Sequence, residues 1–342
     1  MAKERSRRCV LLGVCALLCV VCVCLHVYVE LTWWGGQGSA TRLHQAVTAA
    51  TRKRRVSEDA HTWRKNASLS AAKTVGSTCC PPQRLSRTYR RWRIELQPWA
   101  GERHSLEEEA KRFLQYISTP QIQCSRSILD AEEHWSVCED DRFSLARRIT
   151  NKHCRVYSLG LGADERQAER ALVRAGCEVH CFDPSISEAH LQESERLWVH
   201  RLSVDWRDPN PAISGQRHRA NTKKLATILD KFGHQEVDIL KVDMESAEWK
   251  ILENLVLEGV LSSVGQLLLE VHLHWAGFEV GGEDFDVVRY WFSLLKEVEL
   301  ADFRLFHSWS DPNKPHLFLH KNLWNTSSVF RLGWVNTRWK PR

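Results

Sequence analysis

From Arg155 onward short apolar runs alternate with amphipathic stretches. Val156–Leu159, Val179–Phe182, Leu197–Val204, Val237–Val242 and Gln266–Leu273 are brief and bounded by polar or glycine residues, the pattern of strands buried in a sheet. Between them, Glu165–Ala175 sets Ala168, Ala171, Leu172 and Ala175 on one helical face. Ser187–Glu195 reads as a polar helix, and Thr222–Phe232 and Ser246–Leu257 as further helices. Asp284–Val298 is a helix with Phe285, Val288, Phe292 and Leu295 inward. Two closing strands, Phe303–Ser308 and His316–His320, flank the turn signal Asp311-Pro312-Asn313. Repeated strand–helix units predict a mostly parallel α/β sheet with helices on both faces. Ligands in such sheets bind beyond the carboxyl ends of the strands, where the strand order reverses. Upstream, Ser105-Leu106-Glu107-Glu108 has capping-box spacing and opens a helix that closes before Pro120. Residues 94–150 are therefore a small, mainly helical lead-in to a principal domain at 151–342.

A different pattern governs the front of the chain. Cys9–Val29 is a run of 21 uncharged residues interrupted only by His26, behind Lys3, Arg5, Arg7 and Arg8. As a helix it reaches about 30 Å, the thickness of a bilayer's hydrocarbon core. It reads as a signal anchor or as a cleaved signal peptide, with residues 1–8 a cytosolic basic flank and 30–93 a basic stem. Both readings send the body into the secretory-pathway lumen, as a single-pass type II membrane protein or as a secreted one. Arg52-Lys53-Arg54-Arg55 in the stem reads as a proprotein-convertase site or as plain basic linker. The sequons Asn66-Ala67-Ser68 and Asn325-Thr326-Ser327 fit a lumenal body.

Charge sharpens this division. The formal net charge of +6 over 342 residues combines +13 in residues 1–93 with −7 in residues 94–342. The positive charge thus belongs to delivery, and the acidic body argues against a nucleic-acid partner. Of twelve cysteines, five lie in the apolar run. Cys79, Cys80, Cys124, Cys138, Cys154, Cys177 and Cys181 remain, an odd number whose disulfide connectivity the sequence leaves open.

The first strand runs into Ser158-Leu159-Gly160-Leu161-Gly162-Ala163-Asp164, directly before a helix. Gly160 and Gly162 permit a sharp turn and close approach of a ligand to the backbone. Asp183 ends the second strand, 21 residues after Gly162, where a carboxylate can accept both hydrogen bonds of a ribose diol. These residues resemble the class I S-adenosylmethionine-dependent methyltransferases. The resemblance continues through Val237-Asp238-Ile239-Leu240-Lys241-Val242-Asp243-Met244-Glu245-Ser246-Ala247-Glu248-Trp249, which is similar to the fourth-strand signature of FkbM-type enzymes. It implies a Rossmann-like fold with a mostly parallel seven-stranded sheet and S-adenosyl-L-methionine as cofactor. It further implies that Gly160, Gly162 and the loop residue Asp164 border the cofactor, that Asp183 holds its ribose, and that Asp205 and Trp206 contact its adenine. Three positions depart from the family pattern: Ser158 replaces an acidic residue, Asp164 a third glycine, and Ser246 a glycine. Asp164 or Glu165 is then the expected source of the missing carboxylate.

Transfer to a hydroxyl needs a base for its proton. Asp243 follows the fourth strand, while Glu270, His272 and His274 alternate along the fifth and share a face. Asp243, Glu270 and His272 are the candidate catalytic residues, with His272 as base. An alternative use is a divalent metal held by Asp243, Glu270 and a histidine to orient acceptor oxygens. Glu270 and His272 are equally readable as satisfied structural polar groups. Lys241, inside a strand, calls for a buried carboxylate partner. Cys177-Glu178-Val179-His180-Cys181 contains metal-ligand types without the spacing of a four-ligand zinc site. Trp309, Trp324, Trp334 and Trp339 are core residues or, for some, a saccharide-stacking surface. The compartment and the resemblance together suggest O-methylation of a glycan or other secretory-pathway acceptor. The alternative is a methyltransferase-fold binding protein with weak or no turnover.

Overall fold

Alternation along the central strands sets the layers. The computed structural model describes residues 93–128, 134–160, 166–209, 222–245, 247–277 and 280–341. The predicted membrane-spanning or signal run, the stem, Cys79 and Cys80 lie outside them, as do Gly162, Asp164, Glu165 and Ser246. No helix among the described residues is long and apolar enough to cross a membrane.

The chain opens with α1 (Leu106–Ile117), whose capping box forms as its spacing predicts: Glu108 N–H donates to Ser105 Oγ at 3.3 Å, and Ser105 N–H to Glu108 Oε2 at 3.5 Å. A short hairpin, β1 (Ser127–Ile128) and β2 (Val137–Cys138), precedes a 3-10 turn and α2 (Leu145–Thr150), so the lead-in is less helical than its sequence suggests. Then follow β3 (Arg155–Gly160), α3 (Gln167–Ala175), β4 (Glu178–Phe182), β5 (His190–Ser194), β6 (Leu197–His200), β7 (Ser203–Val204), β8 (Thr222–Lys223) and α4 (Leu225–Phe232). The chain closes with β9 (Val237–Asp243), α5 (Glu248–Leu257), β10 (Val264–His272), α6 (Asp284–Leu300), β11 (Phe303–Ser310) and β12 (Val329–Asn336).

The main sheet has eight strands in the order β11-β12-β10-β9-β3-β4-β6-β5, one more than expected. Its middle ladders, β10·β9, β9·β3, β3·β4 and β4·β6, are parallel, and both edges are antiparallel. The order reverses at β3, which pairs with β4 on one side and β9 on the other, so the ligand-binding switch point lies between the ends of β3 and β9. Tyr157, Leu159, Leu240 and Val242 face a core built with α1, α4, α5 and α6. Val156, Ile239 and Leu268 face a second core built with α2, α3 and the hairpin.

Four expectations are corrected. Ser187–Glu195 is not a helix: His190–Ser194 forms the exposed edge strand β5, antiparallel to β6. A segment polar on every side has no apolar face to hold a helix against the core, and an unpaired sheet edge captures it instead. The single strand at 197–204 divides at Arg201-Leu202 into β6 and β7. The helix expected from Thr222 starts at Leu225, because Thr222–Lys223 pairs with β7. The second closing strand is Val329–Asn336 rather than His316–His320. Leu319 and His320 adopt positive φ, and 318–321 makes only an isolated bridge. That segment nevertheless caps β10: Leu319 N–H donates to Leu273 O at 2.7 Å and His320 N–H to His274 O at 2.9 Å.

Two disulfides resolve the connectivity among the described residues. Cys124–Cys138 ties the hairpin, and Cys154–Cys177 joins the segment before β3 to that before β4, while Cys181 is free and buried. Non-reducing peptide mapping should recover these two pairs. Cys154→Ala/Cys177→Ala, which opens a loop of 23 residues, should lower unfolding free energy by about 3 kcal/mol in denaturant titration.

Candidate functional site

Gly160 is the last residue of β3 and lies opposite Asp243, the last of β9. A Cβ on Gly160 would stand 2.7 Å from the Asp243 carbonyl oxygen, a distance real Cβ atoms do not tolerate. Glycine is therefore required for the two strand ends to come together, and the backbone at the switch point is left bare for a ligand.

The polar residues of the same sheet face gather at this end. Ser158 and Lys241 are register partners, as are Glu270 and Arg331. Lys241 Nζ lies 3.1 Å from Glu169 Oε1, which also accepts the Ser158 hydroxyl at 2.6 Å. Burial alone would raise the Glu169 carboxyl, but the Lys241 charge and the Ser158 hydrogen bond outweigh it and hold it below its ordinary value. Glu169, from the first turn of α3, thus sets a carboxylate beside the position where Ser158 replaces an acid. The expected sources of that group, Asp164 and Glu165, lie outside the described residues. The signal for Glu169 was Lys241 itself, a lysine inside a strand that required some carboxylate nearby.

Asp243, Glu270 and His272 converge, with one ligand-type atom from each within 4.8 Å of the others. Glu270 Oε2 accepts from Arg331 Nε at 2.7 Å, and Glu270 Oε1 lies 3.5 Å from His272 Nε2. On the other side of the ring, Glu248 Oε1 accepts from the His272 backbone N–H at 2.9 Å and lies 3.2 Å from Nδ1. Glu248 opens α5 within the fourth-strand signature, so its place in the motif was legible although its role was not. Trp249, beside it, donates its indole N–H to the His272 carbonyl at 3.4 Å and stacks on Trp291 at 4.7 Å. The aromatic core thereby fixes the residue that carries the imidazole. His274 lies just beyond β10, its ring 6.0 Å from that of His272.

Electrostatics separates the members of this group. Burial raises the Asp243 carboxyl and the nearby Glu270 raises it further, with Lys241 and His272 opposing in part. Burial alone would lower His272, but the Glu248 hydrogen bond and the charges of Glu248, Glu270 and Asp243 prevail and raise it. Trp135 covers the cluster, its ring 5.3 Å from Lys241 Nζ and 5.5 Å from Arg331 Cζ. It is held there by β2, where Gln266 pairs with both the N–H and the C=O of Cys138, at 2.9 and 2.6 Å.

Asp183 directly follows β4, at the strand end where it was expected, and is buried. Ser185 donates to its Oδ1 through both N–H and hydroxyl, at 2.8 and 2.6 Å, and Arg166 lies 3.5 Å from Oδ2. Arg166, unremarked in the sequence, also pairs with Glu193 of β5 at 2.6 Å. Asp205 follows β7 and accepts the Trp206 N–H at 2.6 Å. The Trp206 Nε1 is buried without a partner, an open donor beside the carboxylate expected to face an adenine. Bare backbone at Gly160, a fixed carboxylate at Asp183 and a free indole donor at Trp206 suit a nucleoside-bearing cofactor. Of the C-terminal tryptophans, Trp334 is core, Trp309 stacks on His134, Trp339 lies with its ring 5.6 Å from Arg148 Cζ, and Trp324 is exposed.

A family model described as a methyltransferase domain matches residues 82–299. The chain belongs to that methyltransferase family. It is 58% identical over 271 residues to "Probable methyltransferase-like protein 24" of Homo sapiens, covering 77% of this chain and 74% of the relative. The rat protein of the same name is 56% identical over 272 residues, covering 77% and 75%. The methyltransferase resemblance read from the glycine turn and the fourth-strand signature is thereby shown.

Within this methyltransferase domain, the raised His272 makes a measurable statement. Its NMR titration midpoint should lie above 6.5, and Glu248→Gln should bring it down. The associated stabilisation should be complete below pH 6.5 and fade as pH rises through the folded-state value.

Proposed function

We propose that the protein is an S-adenosyl-L-methionine-dependent O-methyltransferase whose acceptor is a hydroxyl of a glycan or another secretory-pathway molecule. The observation that carries this reading is the imidazole of His272 held between carboxylates at the switch point. When bound, the cofactor supplies an electrophilic methyl group on a sulfonium. Asp183 would hold the ribose, Trp206 and Asp205 the base, and the backbone at Gly160 the remainder. In its neutral form His272 donates Nδ1–H to Glu248, which fixes the tautomer and leaves the Nε2 lone pair for the acceptor's proton. Glu248, Glu270 and Asp243 then stabilise the imidazolium. Because their charges raise His272, proton abstraction should strengthen as pH rises through its midpoint.

A divalent metal on Asp243, Glu270 and His272 has less support. Arg331 at Glu270 Oε2 and Lys241 already bring positive charge to these carboxylates. The second reading, a methyltransferase-fold binding protein, is favoured by Ser158 at a position acidic in the family; Glu169 weakens that argument. Lumenal residence is supported by the two disulfides and by Asn325, whose side chain is exposed in its sequon.

Calorimetric titration of the purified protein with S-adenosylmethionine and S-adenosylhomocysteine tests the cofactor. Binding should be weakened about 10–100-fold by Asp183→Ala, the loss of one charge-assisted interaction. Absence of binding at millimolar ligand would defeat the proposal, and binding without transfer to any hydroxyl acceptor would favour the binding protein. Glycosidase treatment of the protein expressed in secretory cells should increase its mobility, with a smaller increase for Asn325→Gln. An unglycosylated product would count against the lumenal assignment.

A further inference from the structure

At the opposite end of the sheet lies a second polar cluster that plays no part in this chemistry. Glu178 and His180 alternate along β4 and share the face turned towards α4. α4 ends at Gly233, whose φ of +67° lets the chain reverse, and His234 N–H returns to Leu229 O at 2.9 Å. That reversal carries the His234 ring to 5.1 Å from the His180 ring. Glu178, His180 and His234 each offer a ligand atom within 4.8 Å of the other two.

We propose that Glu178, His180 and His234 bind a zinc ion that staples the start of β4 to the end of α4. Two imidazoles and a carboxylate form a recognised zinc donor set, leaving a fourth position open to water. The outer contacts needed to aim the ligands are already in place. The Tyr157 hydroxyl lies 2.6 Å from His234 Nδ1 and orients that ring. His180 Nδ1 is 2.9 Å from His200 Nε2, and His200 Nδ1 is 2.8 Å from His190 Nδ1. His180 Nε2 is 2.9 Å from Glu178 Oε1, the contact into which the ion inserts. Tetrahedral zinc with bonds of about 2.0–2.1 Å separates its donors by about 3.3 Å. Glu178 and His234, both partly exposed, have room to draw in.

The imidazole chain also accommodates the proton balance. Without the ion, His180 carries its proton on Nε2 towards Glu178, and His200 and His190 each donate one step inward. With the ion bound, the Nε2 proton leaves to solvent, and His180 takes one on Nδ1 from His200. His200 is replenished from His190, and exposed His190 regains a proton from water at Nε2. All three rings stay neutral throughout.

Zinc titration of the metal-free full-length protein, by calorimetry and thermal melting, tests this. One zinc should bind per chain at this site and raise the melting temperature. Glu178→Gln and His234→Gln, both at partly exposed positions, should weaken binding by at least about tenfold, and His190→Ala by about tenfold. Their metal-free melting temperatures should stay near the parent's, which separates ligand loss from misfolding. Cobalt substitution should give the visible bands of a tetrahedral ion, lost in His234→Gln. No zinc uptake overturns the proposal. So does binding that survives both substitutions, or that is lost in Asp243→Asn/Glu270→Gln and kept in Glu178→Gln.

Discussion

Lys241 is a charge built into the central parallel strand of a sheet covered on both faces, and the crevice takes its form from how that charge is met. Glu169 reaches it from the helix that follows the glycine turn, and Ser158 completes the contact from the adjoining strand. A buried ion pair adds little net stability, because desolvation offsets most of the attraction. Its consequence is positional: α3 is drawn onto β3 and β9. One strand further out the same requirement recurs, where Glu270 meets Arg331 across the antiparallel ladder. Trp135 lies against both cations and shields them.

Two ends of one sheet thus carry two kinds of polar cluster. At the carboxyl end, carboxylates outnumber cations, so Asp243 and His272 are both pushed towards protonation. Towards the amino end, imidazoles outnumber carboxylates. Burial first, then its histidine neighbours, lowers His200 to about 3, while a hydrogen bond to His180 lowers Glu178 to about 2. The first arrangement suits proton transfer, and the second suits holding a cation. Aromatic packing separates them, with Phe182, Phe232 and Tyr157 around the histidines and Trp249 and Trp291 behind His272.

The central strands and the helices with a clear apolar face were legible because burial on a sheet leaves a short apolar run and packing on it leaves a stripe. Segments lacking such a face were misread. His190–Ser194 is exposed along its whole length, so nothing in its own residues distinguishes edge strand from helix. Val329–Asn336 enters the sheet between β10 and β11, a placement fixed by partners distant in the chain. In the candidate site, the positions of Asp183, Asp205, Asp243, Glu270 and His272 at the strand ends were legible because strand ends are predictable. Glu169, Glu248, Arg166 and Arg331 were not, because each acts through a neighbour supplied by another element.

The sequence by itself determined the repeating strand–helix units, the glycine turn, the carboxylates at the strand ends and the family to which they belong. These follow from local periodicity and from residue types that only certain backbone positions accept. The tertiary structure alone decided which cysteines pair, which carboxylate answers Lys241, and which carboxylates enclose His272. It also gathered Glu178, His180, His190, His200 and His234 into one cluster. Such pairings depend on the distance between side chains from separate elements, and that distance exists only once the sheet has assembled.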